Sequence, residues 1–459
     1  MATYDPSIFR AYDVRGIYPT QMNEQVAYAA GQAFVVITGA KRVVVGRDVR
    51  STGESIQAAL IQGVRDTGAT AIEVGVISTE MLYFAAGTLD CDGGMSVTAS
   101  HNPAEWNGIK FIGQGAIPLT REGQLGEIYD FIRSGREIKQ FEPGPLEHED
   151  LLSGYIAFLK KFTPTDLPPL KVVINTNFGA NGKIVDKALE GLPIEVTRLN
   201  WPEDGTFPKG TPDPLLPKNR IELSETIVRE GANFGVAFDA DADRAFFYDE
   251  QGRPFHGYYI GALLSSYFLK NEPGATIVYD PRLTWAVEAA VAEGHGTAYL
   301  SKTGHGYIKQ SMRAQHAIYG LENSGHFYYR DFFGCDCGML TFLLVAKLFG
   351  EQIKAGHAVS EILDQYQEQF PSSDELNYIT DKAIEIVGAF KEKYANAKIG
   401  TLDGVSIEYP DFRFNVRLSN NEPIMRLNLE AKTPELLTEK LAEVNAFIES
   451  YGATLRNDG

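Results

Sequence analysis

The first pattern along the chain is a strand, a helix and a second strand in succession. Residues 41–45 form a β-branched apolar run, and helical spacing follows over 55–67, where Leu60 and Val64 share one apolar stripe. Residues 71–74 form the next apolar run. This order predicts a β-α-β unit, in which a helix covers a parallel sheet.

The same pattern returns in two later parts of the chain. The predicted strand, helix and strand lie at 171–175, 183–189 and 194–197, and again at 276–279, 285–292 and 297–301. From about residue 375 the pattern changes to strands at 405–409, 412–417 and 425–430, followed by a helix at 434–450. We therefore expect three α/β domains and a C-terminal α+β domain.

Three proline-containing breaks suggest the domain boundaries. They lie around 141–146, 252–257 and 371–374. The expected domains are therefore 1–147, 148–254, 255–370 and 371–459.

Composition narrows the class of protein. Among 459 residues, 42 are Lys or Arg and 60 are Asp or Glu, for a net charge of −18. This acidity argues against a nucleic-acid partner or an anionic membrane surface. No run reaches the roughly 18 apolar residues of a spanning helix, and the N-terminus shows no apolar signal region. We expect a soluble, cytoplasmic protein.

The cysteines fit a reducing compartment. The chain has three, Cys91, Cys335 and Cys337, and an odd, sparse count favours free thiols. Cys335 and Cys337 form a lone C-x-C pair, whereas a metal site needs about four ligands. Ordinary packing is the preferred interpretation.

Three aspartates alternate between two apolar runs. Asp239, Asp241 and Asp243 stand between the predicted strands 234–238 and 245–248. Carboxylates this dense repel one another unless a cation lies among them, and hard oxygen ligands favour Mg²⁺ or Ca²⁺. An EF-hand is rejected, because Arg244 occupies its glycine position and the flanks are strands. A solvated acidic turn is the alternative.

A serine and a histidine stand side by side in a polar loop. Ser100 and His101 follow the predicted strand 94–97, and Asn102-Pro103 ends the turn. The hydroxyl could reach a substrate there, although an ordinary Ser/Asn turn fits equally well. A Ser-His hydrolase dyad is disfavoured, because adjacent side chains rarely face each other and no G-x-S-x-G elbow is present.

Two further segments suggest sugar and phosphate recognition. Glu322 and Ser324 alternate, so in extended backbone they face one side, where a carboxylate could accept from two vicinal hydroxyls. Arg417, with Arg426 soon after, brackets hydroxyl and amide side chains and would suit phosphate oxygens. A glycine-rich loop and a simple turn are the respective alternatives.

Together and in this order, four segments are far more specific than any one of them. They are 98–103, 238–244, 320–326 and 417–423, supported by 9–16, 45–48, 205–208, 212–214 and 302–305. The chain resembles the α-D-phosphohexomutase family, in particular its bacterial phosphomannomutase/phosphoglucomutase members, from Phe9 to about Glu430. The resemblance implies three similar α/β mixed-sheet domains and a C-terminal α+β domain around a central cleft, with one motif from each domain.

The resemblance also implies roles for individual residues. Ser100 would be the phosphoserine, and the metal ligands would be Ser100 (through its phosphate), Asp239, Asp241 and Asp243. The reaction centre would further include His101, Lys110, Arg244 and His305. The substrate contacts would be Arg10, Tyr12, Arg15, Arg282, Glu322, Ser324, His326, Arg417, Ser419, Asn420, Asn421 and Arg426.

The implied activity interconverts hexose 1-phosphates and hexose 6-phosphates of mannose or glucose. A phosphoserine enzyme and a 1,6-bisphosphate intermediate would carry the phosphoryl group, with Mg²⁺ as cofactor and hexose 1,6-bisphosphate as activator. The only partners implied are small-molecule hexose phosphates, and the protein would act as a monomer or homodimer. A flexible terminal domain is expected, because a closed cleft must keep water from the phosphoserine.

Several residues depart from the family pattern, so the resemblance does not determine which sugar is preferred. Ala240 and Ala242 stand where the family often has glycine, which is tolerable if φ stays negative. Asn323 replaces a methionine of dual-specificity members, and Asn421 replaces a commoner threonine; both touch the substrate site.

Three other functions are alternatives to this one. Phosphoglucosamine mutase is the nearest rival within the fold, because its sugar loop also pairs Glu with Ser-Gly-His. A non-catalytic sugar-phosphate-binding homologue is disfavoured by the intact Ser100 and aspartate triad. A metal-dependent phosphatase with an aspartyl nucleophile is disfavoured, because Arg244 stands where its motif carries Thr or Val.

Overall fold

Four β-sheets, each with its own helices, organise the part of the chain that the structure describes. The structure is a computed structural model and describes residues 5–136, 138, 141–418 and 424–456. Three α/β domains with mixed sheets are followed by a fourth domain with an antiparallel sheet, which confirms the predicted fold class. The residue limits of the domains stay a prediction.

The first domain is a six-stranded mixed sheet in the order β1-β5-β4-β2-β3-β6. Its elements are β1 (Asp13–Ile17), α1 (Glu24–Thr38), β2 (Arg42–Arg47), α2 (Gly53–Arg65), β3 (Thr70–Val76), α3 (Thr79–Thr88), β4 (Gly93–Val97), β5 (Trp106–Gly113), α4 (Gln124–Ser134) and β6 (Leu146–His148). β2 pairs in parallel with β3 and β4, while β5 is antiparallel to β4 and β1. The predicted β-α-β unit is β2-α2-β3, with Leu60 and Val64 of α2 fully buried.

The second domain has a four-stranded sheet in the order β10-β9-β7-β8. Its elements are α5 (Leu152–Leu159), β7 (Leu170–Asn175), α6 (Gly182–Ala188), β8 (Ile194–Leu199), α7 (Pro217–Glu230), β9 (Phe234–Phe238) and β10 (Ala245–Tyr248). β7 is parallel to β8 and β9, and β10 returns antiparallel to β9. The acidic segment is therefore the turn between β9 and β10, as the two apolar runs predict.

The third domain has a five-stranded sheet in the order β12-β11-β13-β14-β15. Its elements are α8 (Gly257–Asn271), β11 (Thr276–Tyr279), α9 (Trp285–Glu293), β12 (Thr297–Leu300), α10 (His305–Ala314), β13 (Tyr319–Leu321), β14 (Phe327–Tyr329), β15 (Cys335–Asp336), α11 (Gly338–Lys354) and α12 (Ser360–Gln369). β11 is parallel to β12 and β13, so their carboxyl ends share one sheet edge.

The fourth domain has an antiparallel sheet in the order β17-β18-β19-β20-β16-β21. Its elements are β16 (Leu376–Ile379), α13 (Ala383–Lys393), β17 (Lys398–Gly400), β18 (Val405–Glu408), β19 (Phe412–Leu418), β20 (Ile424–Ala431), α14 (Pro434–Glu449) and β21 (Thr454–Leu455). Thr433 caps α14 by accepting from the main-chain N–H of Leu436, and Pro434 occupies the first turn.

The first three domains share an apolar cluster, and the fourth domain has its own. One continuous cluster joins the first three, from Val44 through Phe234 to Phe342. The fourth domain has a separate cluster around Phe390 and Phe414. Among the described residues, no helix is long and apolar enough to cross a membrane. All three cysteines are buried and free, as expected.

Candidate active site

Ser100 lies in a buried loop three residues beyond the end of β4. Its φ is +51°, in the left-handed region that L-residues seldom adopt. Its Oγ lies 3.3 Å from Oδ2 of Asp239 and 3.1 Å from Nδ1 of His101. The first two predicted motifs, 139 residues apart in sequence, therefore meet across the first and second domains.

The three aspartates of the second domain converge as predicted. Asp239, Asp241 and Asp243 are almost fully buried, and one carboxylate oxygen of each lies within 4.8 Å of the others. Oδ1 of Asp241 and Oδ1 of Asp243 have no hydrogen-bond partner among the described residues. A buried carboxylate oxygen without a hydrogen-bond partner costs free energy of folding unless a cation lies beside it. An all-oxygen set with free buried lone pairs fits a hard ion such as Mg²⁺.

Two cationic side chains partly balance the triad. Nζ of Lys110 lies 2.6 Å from Asp241 Oδ2 and 2.6 Å from Asp243 Oδ2. Nε of Arg244 lies 2.8 Å from Asp239 Oδ2. Two positive charges thus face three carboxylates, which leaves the cluster short of positive charge.

The neighbours of each aspartate set its acidity. Burial raises the pKa of Asp239 to about 7, although Arg244 opposes this. Burial and Asp243 also raise the pKa of Asp241, but Lys110 outweighs them and lowers it below its ordinary value. The pKa of Asp243 lies well below its ordinary value, because Lys110 and His326 outweigh burial. Asp239, beside Ser100, is therefore the least acidic of the three.

Ala242 contradicts the expectation of negative φ in this turn. Its φ is +61°, whereas Ala240 keeps a negative value. The main-chain N–H of Ala242 donates to the carbonyl of Asp239, and this tight turn brings Asp243 back beside Asp239. The geometry of the triad therefore imposes a left-handed residue where the chain carries alanine.

The pKa values of the three site histidines are shifted in different directions. Burial, with Arg244 nearby, holds the pKa of His101 well below its ordinary value. Burial, with Lys309 nearby, does the same for His305. Burial also disfavours the charged form of His326, but the Asp243 carboxylate, 3.6 Å away, raises its pKa. His101 and His305 are therefore neutral at pH 7 and able to accept a proton.

The sugar-loop segment was predicted to be extended, and this conformation is wrong, whereas its sugar-binding role stays a prediction. Glu322 follows β13 directly, but 322–325 forms a turn, in which the N–H of Gly325 donates to the carbonyl of Glu322. Glu322 and Ser324 therefore do not alternate along extended backbone. Glu322 Oε1 instead accepts from the N–H of Gly304 at 2.9 Å, and Oε2 accepts from the Tyr328 hydroxyl at 2.7 Å. The segment joins two short strands, β13 and β14, and contains a glycine, so a turn is favoured over an extended run.

The arginines predicted to bind phosphate converge on a glutamate that the sequence did not single out. Glu375 Oε2 lies 3.1 Å from Nη2 of Arg417, and its Oε1 lies 2.8 Å from Nη1 of Arg426. Nη1 of Arg282 lies 3.8 Å from the same carboxylate. Ser419, Asn420 and Asn421 lie outside the described residues. Three arginines from two domains thus meet at one anion-binding position.

The N-terminal candidates surround the same cleft. The Tyr12 ring lies 4.7 Å from the His305 ring, between centroids, and its hydroxyl donates to the carbonyl of Thr303. Nη1 of Arg15 donates to the carbonyl of Ala99 and to Oδ1 of Asn102, so Arg15 supports the Ser100 loop. Arg10 lies on the wall of a cavity of about 470 Å³ shared by the first, third and fourth domains.

These contacts form one chain of polar groups through all four domains. It runs from Ser100 through Asp239, Asp243, His326, Glu322, Arg282 and Glu375 to Arg417. Sequence reasoning missed Glu375, Arg50 beneath the Ser100 loop, and Thr79, whose hydroxyl donates to Asp241 at 2.6 Å. The aspartate two residues before Arg50 could have identified this arginine from the sequence. No sequence pattern marks Thr79 or Glu375.

A fold of four domains with a serine, an acidic triad and an arginine cluster in one cleft defines a class of phosphoryl-transfer enzyme. Family models described as phosphoglucomutase/phosphomannomutase, alpha/beta/alpha domains I, II and III, match residues 6–139, 153–252 and 256–370. The chain belongs to this family and is a phosphohexomutase.

Individual relatives match over nearly the whole chain. A phosphomannomutase of Escherichia coli is 40% identical over 96% of this chain and 99% of its own. A Xanthomonas campestris protein described as phosphohexose mutases is 38% identical over 94% and 96%. The crystal structure of a phosphoglucomutase/phosphomannomutase family protein from Burkholderia thailandensis matches 99% of this chain and 100% of its own, with a TM-score of 0.87 and 29% identity.

Proposed function

We propose that the protein interconverts hexose 1-phosphate and hexose 6-phosphate, with mannose or glucose as the sugar. A phosphorylated Ser100 and a 1,6-bisphosphate intermediate carry the reaction. The observation behind the proposal is the Ser100 hydroxyl, held 3.3 Å from a buried aspartate triad that needs a cation. Similarity to phosphomannomutases at 36–40% identity supports the sugar class.

The chemistry is two phosphoryl transfers in opposite directions. In the first, the P–O bond to Ser100 breaks as a sugar hydroxyl oxygen bonds to phosphorus, and the hydroxyl proton passes to a neutral imidazole. His101 and His305 are the candidates for that base. The bisphosphate then reorients. The Ser100 oxygen bonds to the phosphorus of the other phosphate as the P–O bond to the sugar breaks, and the held proton passes to the departing sugar oxygen. A free hexose 1,6-bisphosphate would activate the enzyme by phosphorylating Ser100.

Positive charge around the transferring phosphoryl group would supply most of the rate acceleration. Asp239, Asp241 and Asp243, with an oxygen of the phosphoserine, would hold Mg²⁺. The ion, when bound, neutralises charge that develops on the phosphoryl oxygens. Arg244 and Lys110 lie at the same carboxylates and would add two further positive charges.

The rest of the cleft would recognise the sugar and its second phosphate. Glu322 and Ser324 would bond the sugar hydroxyls, with His326 beside them. Arg417 and Arg426, with Arg282 from the third domain, would bind the phosphate that is not being transferred. Ser419, Asn420 and Asn421 are proposed to complete that cradle, and Arg10, Tyr12 and Arg15 to contact the substrate from the first domain.

Intact-mass measurement after incubation with glucose 1,6-bisphosphate tests the proposal. The wild type should gain one phosphate, and Ser100→Ala should gain none and lose most turnover. Ser324→Ala is the matched control, because it removes a site hydroxyl but should keep the phosphate. An active Ser100→Ala variant without any labelled acceptor contradicts the proposal.

Rates with three substrates decide the sugar. Mannose 1-phosphate and glucose 1-phosphate should be converted at least about tenfold more efficiently than glucosamine 1-phosphate. The reverse order would make the protein a phosphoglucosamine mutase. Stoichiometric binding without turnover of any of them would make it a sugar-phosphate-binding protein.

A further inference from the structure

Arg50 lies beneath the Ser100 loop and is 1% exposed. Its Nη2 donates to the carbonyls of Ser100 at 2.8 Å and Asn102 at 2.7 Å. Its Nη1 donates to the carbonyls of Pro103 at 2.7 Å and Trp106 at 2.9 Å. One guanidinium therefore holds four carbonyls between Ser100 and Trp106, the first residue of β5, and the chemistry above gives it no role.

The other peptide group of Ser100 is tied to the same arginine through two side chains. Nε of Arg50 donates to Oδ2 of Asp48 at 3.2 Å, and that oxygen also accepts from the Thr98 hydroxyl at 2.7 Å. Oγ1 of Thr98 in turn accepts from the N–H of Ser100 at 2.9 Å. Both peptide groups that flank Ser100 are thus fixed. Such bonds hold a residue in the left-handed conformation that it otherwise avoids.

The second domain covers this arginine from the opposite side. The Phe207 ring centroid lies 5.0 Å from Cζ of Arg50, a cation–π distance. Gly205 forms a parallel bridge with Arg50, and a Cβ at Gly205 would lie 2.1 Å from the carbonyl oxygen of Val49. Arg50 therefore contacts the domain that carries the aspartate triad as well as the loop that carries Ser100.

We propose that Arg50 is a positioning residue for phosphoryl transfer: it fixes the Ser100 loop so that Oγ faces Asp239. This inference rests on the proposed function. Arg50 touches neither Oγ nor the triad, so it acts only through the loop. Lysine cannot replace it, because an ammonium group lacks the planar fork of five donors.

Steady-state kinetics of Arg50→Lys and Arg50→Ala test the inference. Because misplacement of a reacting group by about 1 Å costs about 100-fold in rate, kcat should fall by about that factor in both variants. KM for the hexose phosphate should stay within about threefold, since no substrate contact is lost. Added guanidinium should raise kcat of Arg50→Ala about tenfold by refilling the buried site.

The control is Arg313→Ala. Arg313 also donates to main-chain carbonyls, those of Lys309, Ala116 and Phe333, but to none in the Ser100 loop. Its kcat should stay within about twofold of wild type and should not respond to guanidinium. Equal guanidinium responses in the two alanine variants would overturn the inference.

A second variant decides the matter if Arg50→Ala does not fold. Thr98→Val removes the hydroxyl that bonds the N–H of Ser100, and it should lower kcat without changing KM, while Thr98→Ser restores kcat. A folded Arg50→Lys or Thr98→Val variant with wild-type kcat overturns the positioning role. Failure of the wild type to take up phosphate would instead overturn the proposed function, so the two failures are distinguishable.

Discussion

Three arginines in this cleft pair with the aspartate two residues before them. The distances from Nε to the carboxylate are 2.8, 3.2 and 2.9 Å for the pairs Asp13–Arg15, Asp48–Arg50 and Asp280–Arg282. A buried guanidinium needs a carboxylate to offset desolvation, and a partner at this spacing fixes its direction. At these three positions the Asp-x-Arg spacing marks an arginine whose direction is fixed by its own aspartate, whereas Arg413, two residues after Asp411, pairs with Glu430 instead. Only two of the three were singled out from the sequence.

The left-handed alanine of the metal turn gives a stability prediction. A left-handed L-residue costs about 1–2 kcal/mol, part of which glycine recovers after its own entropic cost. Ala242→Gly should therefore stabilise the protein by about 0.5–1 kcal/mol in urea unfolding. Ala240→Gly is the control, because its φ is negative, and it should destabilise by a similar amount. Shifts of the same sign in both variants would contradict the prediction.

Glu375 gives a pH-dependent prediction. Burial raises its pKa, but Arg417 and Arg426 outweigh burial and hold it at about 2, below an unfolded value of about 4.3. A depressed pKa stabilises the fold above the unfolded pKa, and this contribution is lost as pH falls from about 4.3 to 2. Glu375→Gln should therefore be less stable than wild type at pH 7, and the difference in Tm should shrink below pH 4.

An exposed glutamate of the same domain provides the comparison for Glu375. Glu392→Gln on α13 should change stability by less than about 0.5 kcal/mol across the same range. A difference between wild type and Glu375→Gln that does not vary with pH would mean that the carboxylate charge is not the stabilising feature.

At the scale of elements, uninterrupted apolar runs predicted several strands of four or more residues, whereas the strands of two or three residues were missed. The strands on either side of the acidic turn, β9 and β10, were predicted to the residue, because their apolar runs are uninterrupted. β13, β14 and β15 have two or three residues each, too few to show a period. The conformation of 322–325 depends on those strands, so it was predicted wrongly.

The start of α10 gives a prediction at this scale. Gly304 has a φ of +126°, and a Cβ there would lie 1.9 Å from the Tyr12 hydroxyl oxygen. Its N–H donates to Glu322, and His305 follows it. Gly304→Ala should displace this element and lower kcat/KM at least about tenfold. Gly356→Ala, also left-handed but with open space around it, should keep full activity; loss of activity in both would point to general destabilisation.

At the scale of the molecule, the fourth domain is attached by polar contacts rather than by shared core. Glu430 accepts from the N–H of Thr284 at 2.8 Å and the hydroxyl of Tyr258 at 2.5 Å, and Arg413 donates to the carbonyl of Pro281. Such an interface separates more readily than a continuous core. We therefore expect the fourth domain to move relative to the other three, as a cleft that opens and closes requires.

Sequence patterns alone could not predict that residues from four domains assemble into one site. Each motif was visible locally, but hydrophobic periodicity cannot place Ser100 beside Asp239, or Arg282 beside Arg417. Those contacts depend on how whole sheets pack. Only the order of the motifs, through family resemblance, indicated a common cleft.

The separation of roles between domains leads to the last prediction. Arg417 belongs to the fourth domain, whereas Ser100 and the triad belong to the first and second. Losing one charge-assisted phosphate contact costs about 1.5–3 kcal/mol, so Arg417→Ala should lower kcat/KM by about 10- to 150-fold. Phosphorylation of Ser100 and metal binding should persist.

Binding of the two substrates sharpens that test. In the proposed function one cradle holds the 1-phosphate of one substrate and the 6-phosphate of the other, so Arg417→Ala should raise the Kd of hexose 1-phosphate and the Kd of hexose 6-phosphate for the dephosphorylated enzyme by similar factors. Lys398→Ala, which removes an exposed cation of the same domain, should change neither. If Arg417→Ala weakens the binding of only one of the two substrates, the arginine serves one orientation of the intermediate, and the non-transferring phosphate of the other orientation must be bound elsewhere.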